Sequence, residues 1–147
     1  TRPILWLPLN NYTGIRTMTR IVKVKQLKEA IPKEDYEQIV FVIWLKKQGF
    51  GVSASANGGS RNLYEAIKLK RMGVWAGWPD VFVPLPTPIY HGFFCEMKRR
   101  KGGKVSPAQV ECLQYLRDKG YYAEVANGAD EAKELFKFYL STLPKAA

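Results

Sequence analysis

The spacing of apolar residues predicts four α-helices from residue 34 onward. The first covers residues 34–48, where apolar side chains recur at helical spacing: Ile39, Val40, Ile43 and Trp44. Gly49 follows this helix and ends it. The other helices are predicted over residues 62–72, 106–119 and 130–140. In the third helix, Ser106 supplies an N-cap hydroxyl and Pro107 takes the first helical position.

Apolar runs between these helices predict four strands. They cover residues 50–55, 80–85, 90–98 and 121–125. The turn Pro86-Thr87-Pro88 joins the second and third strands into a hairpin, whereas the strand after the middle helix must return by a crossover connection. We therefore predict an α/β fold with a mixed central sheet flanked by helices.

The N-terminal residues do not share this pattern. Residues 1–20 show no sustained period of two or of 3.6, and residues 22–25 alternate valine with lysine, which is typical of a short edge strand. The predicted organisation is an N-terminal arm, residues 1–28, followed by one domain, residues 29–147.

Composition narrows the possible partners. The chain has 147 residues, of which 46% are hydrophobic, enough for one core. Its 23 Lys and Arg against 13 Asp and Glu give a formal charge of +10, which favours a polyanionic partner, nucleic acid above all. No segment resembles a signal peptide or a membrane span of about 20 apolar residues. We expect a soluble, intracellular protein with no membrane partner.

Cysteine and histidine are too scarce to suggest zinc or disulfide chemistry. Cys95 and Cys112 are the only cysteines, and His91 is the only histidine. We expect both cysteines to be reduced, buried and hydrophobic in character. His91 is assigned no role.

Three charged residues of the predicted hairpin point to a reaction centre. Asp80 begins one strand, and Glu96 and Lys98 share one face near the end of the other, so in-register pairing brings all three together. Converging carboxylates repel each other unless a cation lies between them, and oxygen ligands with few histidines favour Mg²⁺ or Mn²⁺. With a lysine to position or activate water, such a site is suited to phosphodiester hydrolysis. Spacing alone leaves open that Asp80 caps a turn and that Glu96 and Lys98 form an exposed pair.

Further motifs bear on these alternatives. They are Asn57-Gly58-Gly59 with Arg61, the Lys70, Gly73 and Gly77 approach to Pro79-Asp80, Glu96-Met97-Lys98, Gly102-Gly103-Lys104, Ser106 with Gln109, and Gly120-Tyr121. Through their order and spacing, the chain over residues 34–140 resembles the VRR-NUC branch of the PD-(D/E)xK nuclease superfamily. The resemblance implies a restriction-endonuclease-like core of order α-β-β-β-α-β with an added C-terminal helix.

The resemblance also implies roles for individual residues. Those at Asp80 and Glu96 would hold the metal, Lys98 would serve the attacking water, and Gln109 would contribute from the following helix. Without the resemblance, Gln109 is equally well a solvent-facing residue one turn into its helix.

A first-helix glutamate belongs to the implied site, and two residues compete for that position. Glu34 is preferred because it stands four residues before Gln38, the spacing that the family suggests, whereas Glu37 lies on the apolar stripe of Phe41 and Trp44. An ordinary first-turn carboxylate, favoured by the helix dipole, remains the alternative for either.

Basic and aromatic residues around these motifs suggest a DNA-binding surface. The residues expected to contact phosphates are Arg61, Arg99, Arg100, Lys101 and Lys104. Asn57-Gly58-Gly59 is either a tight turn or a place where backbone N–H groups approach a phosphate. Trp75 and Trp78 either stack on unpaired bases or fill gaps in the core or at a protein interface.

Taken together, these observations predict a Mg²⁺- or Mn²⁺-dependent endonuclease. The resemblance further implies a stand-alone bacterial or phage protein in the cytoplasm, acting as a homodimer on duplex or branched DNA such as Holliday junctions. A non-catalytic nucleic-acid-binding module and an interaction subunit of a larger complex are the competing functions, and RNA stays open as a substrate.

Overall fold

A computed structural model describes residues 33–55 and 62–145 of the chain. The helices are α1 (Lys33–Lys47), α2 (Leu63–Arg71), α3 (Pro107–Asp118) and α4 (Ala129–Ser141); the strands are β1 (Ser53–Ala54), β2 (Val81–Val83), β3 (Phe93–Lys98) and β4 (Tyr122–Asn127). Four sequence predictions lie outside the described residues: the arm of residues 1–28, its edge strand, the Asn57-Gly58-Gly59 turn and Arg61.

The four strands form one mixed sheet in the order β1-β2-β3-β4. The β1–β2 and β2–β3 pairs are antiparallel, and β3 pairs with β4 in parallel because α3 carries the chain back between them. This confirms the predicted α/β fold. Strand β2 is shorter than predicted, since Pro84 has no N–H to donate to a neighbouring strand.

Helices cover both faces of the sheet. Alternation along β3 sends Phe93, Cys95 and Met97 into a core beneath α1 and α4, while Phe94 packs into a second core beneath α3. Cys95 and Cys112 are free and buried, as expected. Glu96 and Lys98 share the side of Phe94, so the strand delivers two charged groups to the face covered by α3.

The buried face of α1 differs from the predicted one. Phe41 and Leu45 are fully buried, whereas Ile39 and Ile43 are 42% and 48% exposed. Val40 and Trp44 pack against the core from its margin. Residues 39–45 are apolar without interruption and so cover every side of the helix, which is why periodicity did not determine which stripe faces inward.

None of the described helices is long and apolar enough to cross a membrane.

Candidate active site

Asp80 is held at the start of β2 by contacts on both sides. Its Oδ2 accepts a hydrogen bond from the Met97 backbone N–H at 2.8 Å, which fixes the carboxylate beside β3. The Ser55 N–H donates to the Asp80 carbonyl at 2.9 Å, and the Ser55 hydroxyl donates to the Pro79 carbonyl at 2.7 Å. The approach to Asp80 is therefore an ordered part of the sheet edge.

Glu96 and Lys98 are almost completely buried, with 1% and 5% of their surface exposed. The Lys98 Nζ donates to Glu96 Oε1 at 2.9 Å and to Glu34 Oε1 at 3.2 Å. Gly103 covers this lysine, and a Cβ atom at that position would lie 2.8 Å from the Lys98 Cβ. A larger residue at 103 would thus push the loop away from the aliphatic base of the Lys98 side chain.

The structure brings Glu34, but not Glu37, to this cluster. One carboxylate oxygen from each of Glu34, Asp80 and Glu96 lies within 4.8 Å of the other two. Glu37 instead accepts hydrogen bonds from Arg100 Nε and from the Ala129 N–H, both at 2.7 Å. Burial acts to raise the pKa of Glu37, but these two hydrogen bonds hold it below its usual value.

Gln109 reaches the same cluster from α3. Its Nε2 donates to Glu96 Oε1, while its Oε1 accepts from the Ser106 N–H at 2.8 Å. The Ser106 hydroxyl accepts from the Gln109 N–H in return, which completes a capping box. Gln109 is therefore not simply a solvent-facing residue. Ser106 thus orients this amide, a role beyond that of an N-cap which the Ser-x-x-Gln spacing signals.

The charge balance of the cluster leaves room for a cation. Burial, reinforced by the negative charge of Asp80, raises the pKa of Glu96 to about 7, and burial also raises the pKa of Asp80. The buried Glu96 Oε2 has no hydrogen-bond partner among the described residues. Three carboxylates around one ammonium group, with one orphaned oxygen, fit a hard divalent ion such as Mg²⁺ or Mn²⁺.

This arrangement predicts that divalent ions stabilise the protein more strongly at higher pH. The raised pKa of Glu96 means that its contribution to stability is present below its ordinary value of 4.5 and is lost as the pH rises through about 7. A cation offsets this loss because it binds the charged carboxylate. Saturating Mg²⁺ or Mn²⁺ should raise the melting temperature by roughly 5–10 °C near pH 8 and by less near pH 5.5.

Differential scanning fluorimetry checks this expectation, with NaCl at matched ionic strength as the control. Glu96→Gln should remove the rise in melting temperature that the divalent ion causes. An equal increment at both pH values would contradict the assigned role of Glu96.

The basic loop, residues 99–104, follows β3 and holds four of the predicted phosphate-binding residues. These four residues differ in their ion pairing. Arg99, Lys101 and Lys104 are exposed, and Arg99 Nη2 donates to the Gly102 carbonyl at 2.8 Å. Arg100 is instead paired with Glu37 and, at 2.9 Å, with Asp130. Its guanidinium already joins the loop to α1 and α4, a role that a run of positive charge in the sequence does not reveal.

The two tryptophans near Asp80 have different surroundings. Trp78 packs edge-on against Phe94 at 5.3 Å in the core beneath α3, which supports a packing role. Trp75 is 39% exposed and lies 4.8 Å from the Tyr115 ring. His91 packs against Tyr121 at the far end of β3, away from the acidic cluster.

Comparisons with known proteins agree with this geometry. The VRR-NUC domain family matches residues 31–130. A solved structure named VRR_NUC domain protein is 32% identical with a TM-score of 0.67, over 77% of this chain and 92% of that chain. No curated protein matches the chain. The family match covers more than half of the chain and includes Glu34, Asp80, Glu96, Lys98 and Gln109, so the chain belongs to the VRR-NUC domain family.

Proposed function

We propose that the protein is a metal-dependent endonuclease that hydrolyses phosphodiester bonds in DNA. VRR-NUC domains are nuclease-like, and the observation that carries the finer proposal is the cluster of Glu34, Asp80 and Glu96 beside the buried Lys98. The buried Glu96 Oε2, which has no partner among the described residues, supports this proposal because buried carboxylate oxygens are usually hydrogen-bonded or bound to an ion.

Asp80 and Glu96 would hold Mg²⁺ or Mn²⁺, with Glu34 completing the set. When bound, the ion would supply Lewis-acid stabilisation of phosphate charge and would favour ionisation of water. Asp80 is pre-positioned for this by the Met97 N–H, and Glu96 by Lys98 and Gln109. These second contacts orient the ligands, as is typical of metal sites.

Lys98, as a cation, would position the attacking water. Burial acts to lower the pKa of Lys98, but its hydrogen bonds with Glu96 and Glu34 raise it above its usual value. In the metal-free site these two carboxylates therefore favour the charged form of Lys98. In the proposed role its ammonium group donates to the water oxygen and stabilises the negative charge that develops during attack.

DNA binding in this proposal depends on the exposed cations of the loop that follows β3. Arg99, Lys101 and Lys104 would contact backbone phosphates, which is consistent with the charge of +10 and implies little reading of base sequence. Each domain carries one candidate site, so cutting both strands of a four-way junction would take a homodimer.

Cleavage assays with labelled four-way junction, linear duplex, single-stranded DNA and RNA test this proposal. We expect cuts in DNA with Mg²⁺ or Mn²⁺ and none with EDTA, and paired cuts in the junction. In analytical ultracentrifugation, the complex should sediment as two protein copies bound to one junction. Intact DNA in every condition, while the protein still retards it in a gel, would favour the non-catalytic binding module. That alternative is supported by the exposed basic loop, which needs no metal.

A further inference from the structure

Helix α2 differs from the other helices because, in the described part of the chain, none of its residues is buried. Its apolar side chains Leu63, Tyr64 and Ile67 are exposed. A helix of nine residues is marginal in water unless an apolar face is covered, and the Asn62 N-cap provides only part of what is needed. The helix is thus suited to contact a further molecule.

A cavity of about 770 Å³ separates α2 from α3. Its apolar wall comes from Ala66, Leu69, Val74 and Trp75, and its charged groups are Lys70 and Glu111. This size and this mixture of apolar surface with a few polar groups are typical of small-molecule and cofactor sites. The Glu111 carboxylate has no ion-pair partner within the described residues, so it is available to accept hydrogen bonds.

Trp75 presents an aromatic surface to this cavity. Its indole packs against Tyr115 at 4.8 Å and against Trp78 at 5.9 Å, which fixes the ring without covering it. It also lines a neighbouring cavity of about 310 Å³. A held, half-exposed indole is a suitable platform for a planar ring.

The cavity adjoins the candidate active site. Gly77 has a φ of +81°, and a Cβ at this position would lie 2.5 Å from the Ala108 carbonyl and 2.7 Å from the Gln109 nitrogen. The Trp75 loop is therefore pressed directly against the first turn of α3. The same turn carries the Gln109 side chain to Glu96.

The charge around the cavity favours a polyanion over a second copy of the chain. The last turn of α2 carries Lys68, Lys70 and Arg71, all exposed. A twofold contact through this helix would bring the same cations close to one another, whereas phosphates would neutralise them. In duplex DNA the base faces are covered by their neighbours, so only an unpaired nucleotide offers a face to Trp75.

We propose that the cavity between α2 and α3 binds the base of an unpaired nucleotide in the DNA substrate. Trp75 stacks on the base, Glu111 accepts hydrogen bonds from its N–H groups, and Lys70 contacts the adjoining phosphate. This rests on the proposed function for the identity of the polymer, and it adds that DNA with an unpaired nucleotide near the candidate site binds more tightly than fully paired DNA.

Fluorescence anisotropy tests this proposal in EDTA, where binding is measured without cleavage. The probes are a labelled mixed-sequence single strand and the same strand in a duplex. Trp75→Ala should weaken single-strand binding about tenfold and leave duplex binding nearly unchanged. Phe138→Ala, which removes an exposed ring on α4, is the matched control and should change neither. Lys70→Ala should weaken single-strand binding more than Lys47→Ala.

Two readouts keep the test independent of folding and of catalysis. Single-strand DNA should quench tryptophan fluorescence in the wild type, and Trp75→Phe should lose most of that quenching while keeping its melting temperature. Equal binding of both probes, an equal loss for both in Trp75→Ala, or a protein dimer that Trp75→Ala dissociates would overturn the proposal. If the protein prefers the single strand to the duplex but cleaves no DNA, the proposed base-binding cavity stands and the proposed nuclease activity is refuted.

Discussion

Asp80→Asn and Glu96→Gln are each expected to lower the rate of metal-dependent DNA cleavage by about a thousandfold. Each change removes one negative charge from the trio that would hold the ion, while the side chain keeps nearly the same shape. DNA binding should persist, because the exposed cations of the basic loop are unaffected. Cleavage rates from gels and affinities from anisotropy, measured on the same junction, check both halves of the expectation.

The raised pKa of Glu96 provides an internal control for folding. Since the charged carboxylate is unfavourable in the metal-free protein above pH 7, Glu96→Gln should be at least as stable as the wild type there. The melting temperature of this variant, measured beside its cleavage rate, separates loss of catalysis from unfolding. Asp118→Asn, at the exposed end of α3, is the matched control and should cleave normally. Full activity of Asp80→Asn would show that the acidic cluster is structural.

Phe136→Ala is expected to lower the free energy of unfolding by about 3–5 kcal/mol. The ring is fully buried between α1, α4 and the sheet, with centroids 5.0 Å from both Phe93 and Phe50 and 6.1 Å from Trp44. Its removal leaves a cavity that none of these large, mutually packed rings can fill without moving. Urea denaturation followed by circular dichroism measures the change.

Phe138→Ala is the natural control, since the two residues are neighbours on α4 but Phe138 is 56% exposed. It should cost less than about 1 kcal/mol. A similar loss in both variants would mean that the core does not centre on Phe136. A large loss in Phe136→Ala alone would show that the core beneath α1 and α4 depends on this ring.

The part of the site that lies on the hairpin was predictable from the sequence. Spacing by two placed Glu96 and Lys98 on one face, and antiparallel register brought Asp80 to them. The observed pairing of Val81 with Cys95 has this geometry. Glu34 and Gln109 instead came from the resemblance to the family, because contacts between distant elements leave no periodic trace in the chain.

Other features had no local signal. The Glu37 contacts with Arg100 and the Ala129 N–H join residues more than sixty positions apart, and Arg100 therefore looked like any other cation of its loop. Burial of Phe41 and Leu45 on α1 depends on the positions of α4 and the sheet, which the sequence of the helix does not specify. The early end of β2 was the exception, since Pro84 signals it directly.

The hydrogen bond between Glu37 and the Ala129 N–H joins a helix that is translated early to one that is translated late. A ribosome makes α1 before α4, yet α4 supplies one of the hydrogen bonds that anchor α1, one turn from Glu34. A nascent chain that lacks α4 has the Lys98 contact with Glu34 but not this anchor of the helix that carries it. In the proposed enzyme, full cleavage activity is therefore expected only after α4 has been translated and has packed against α1.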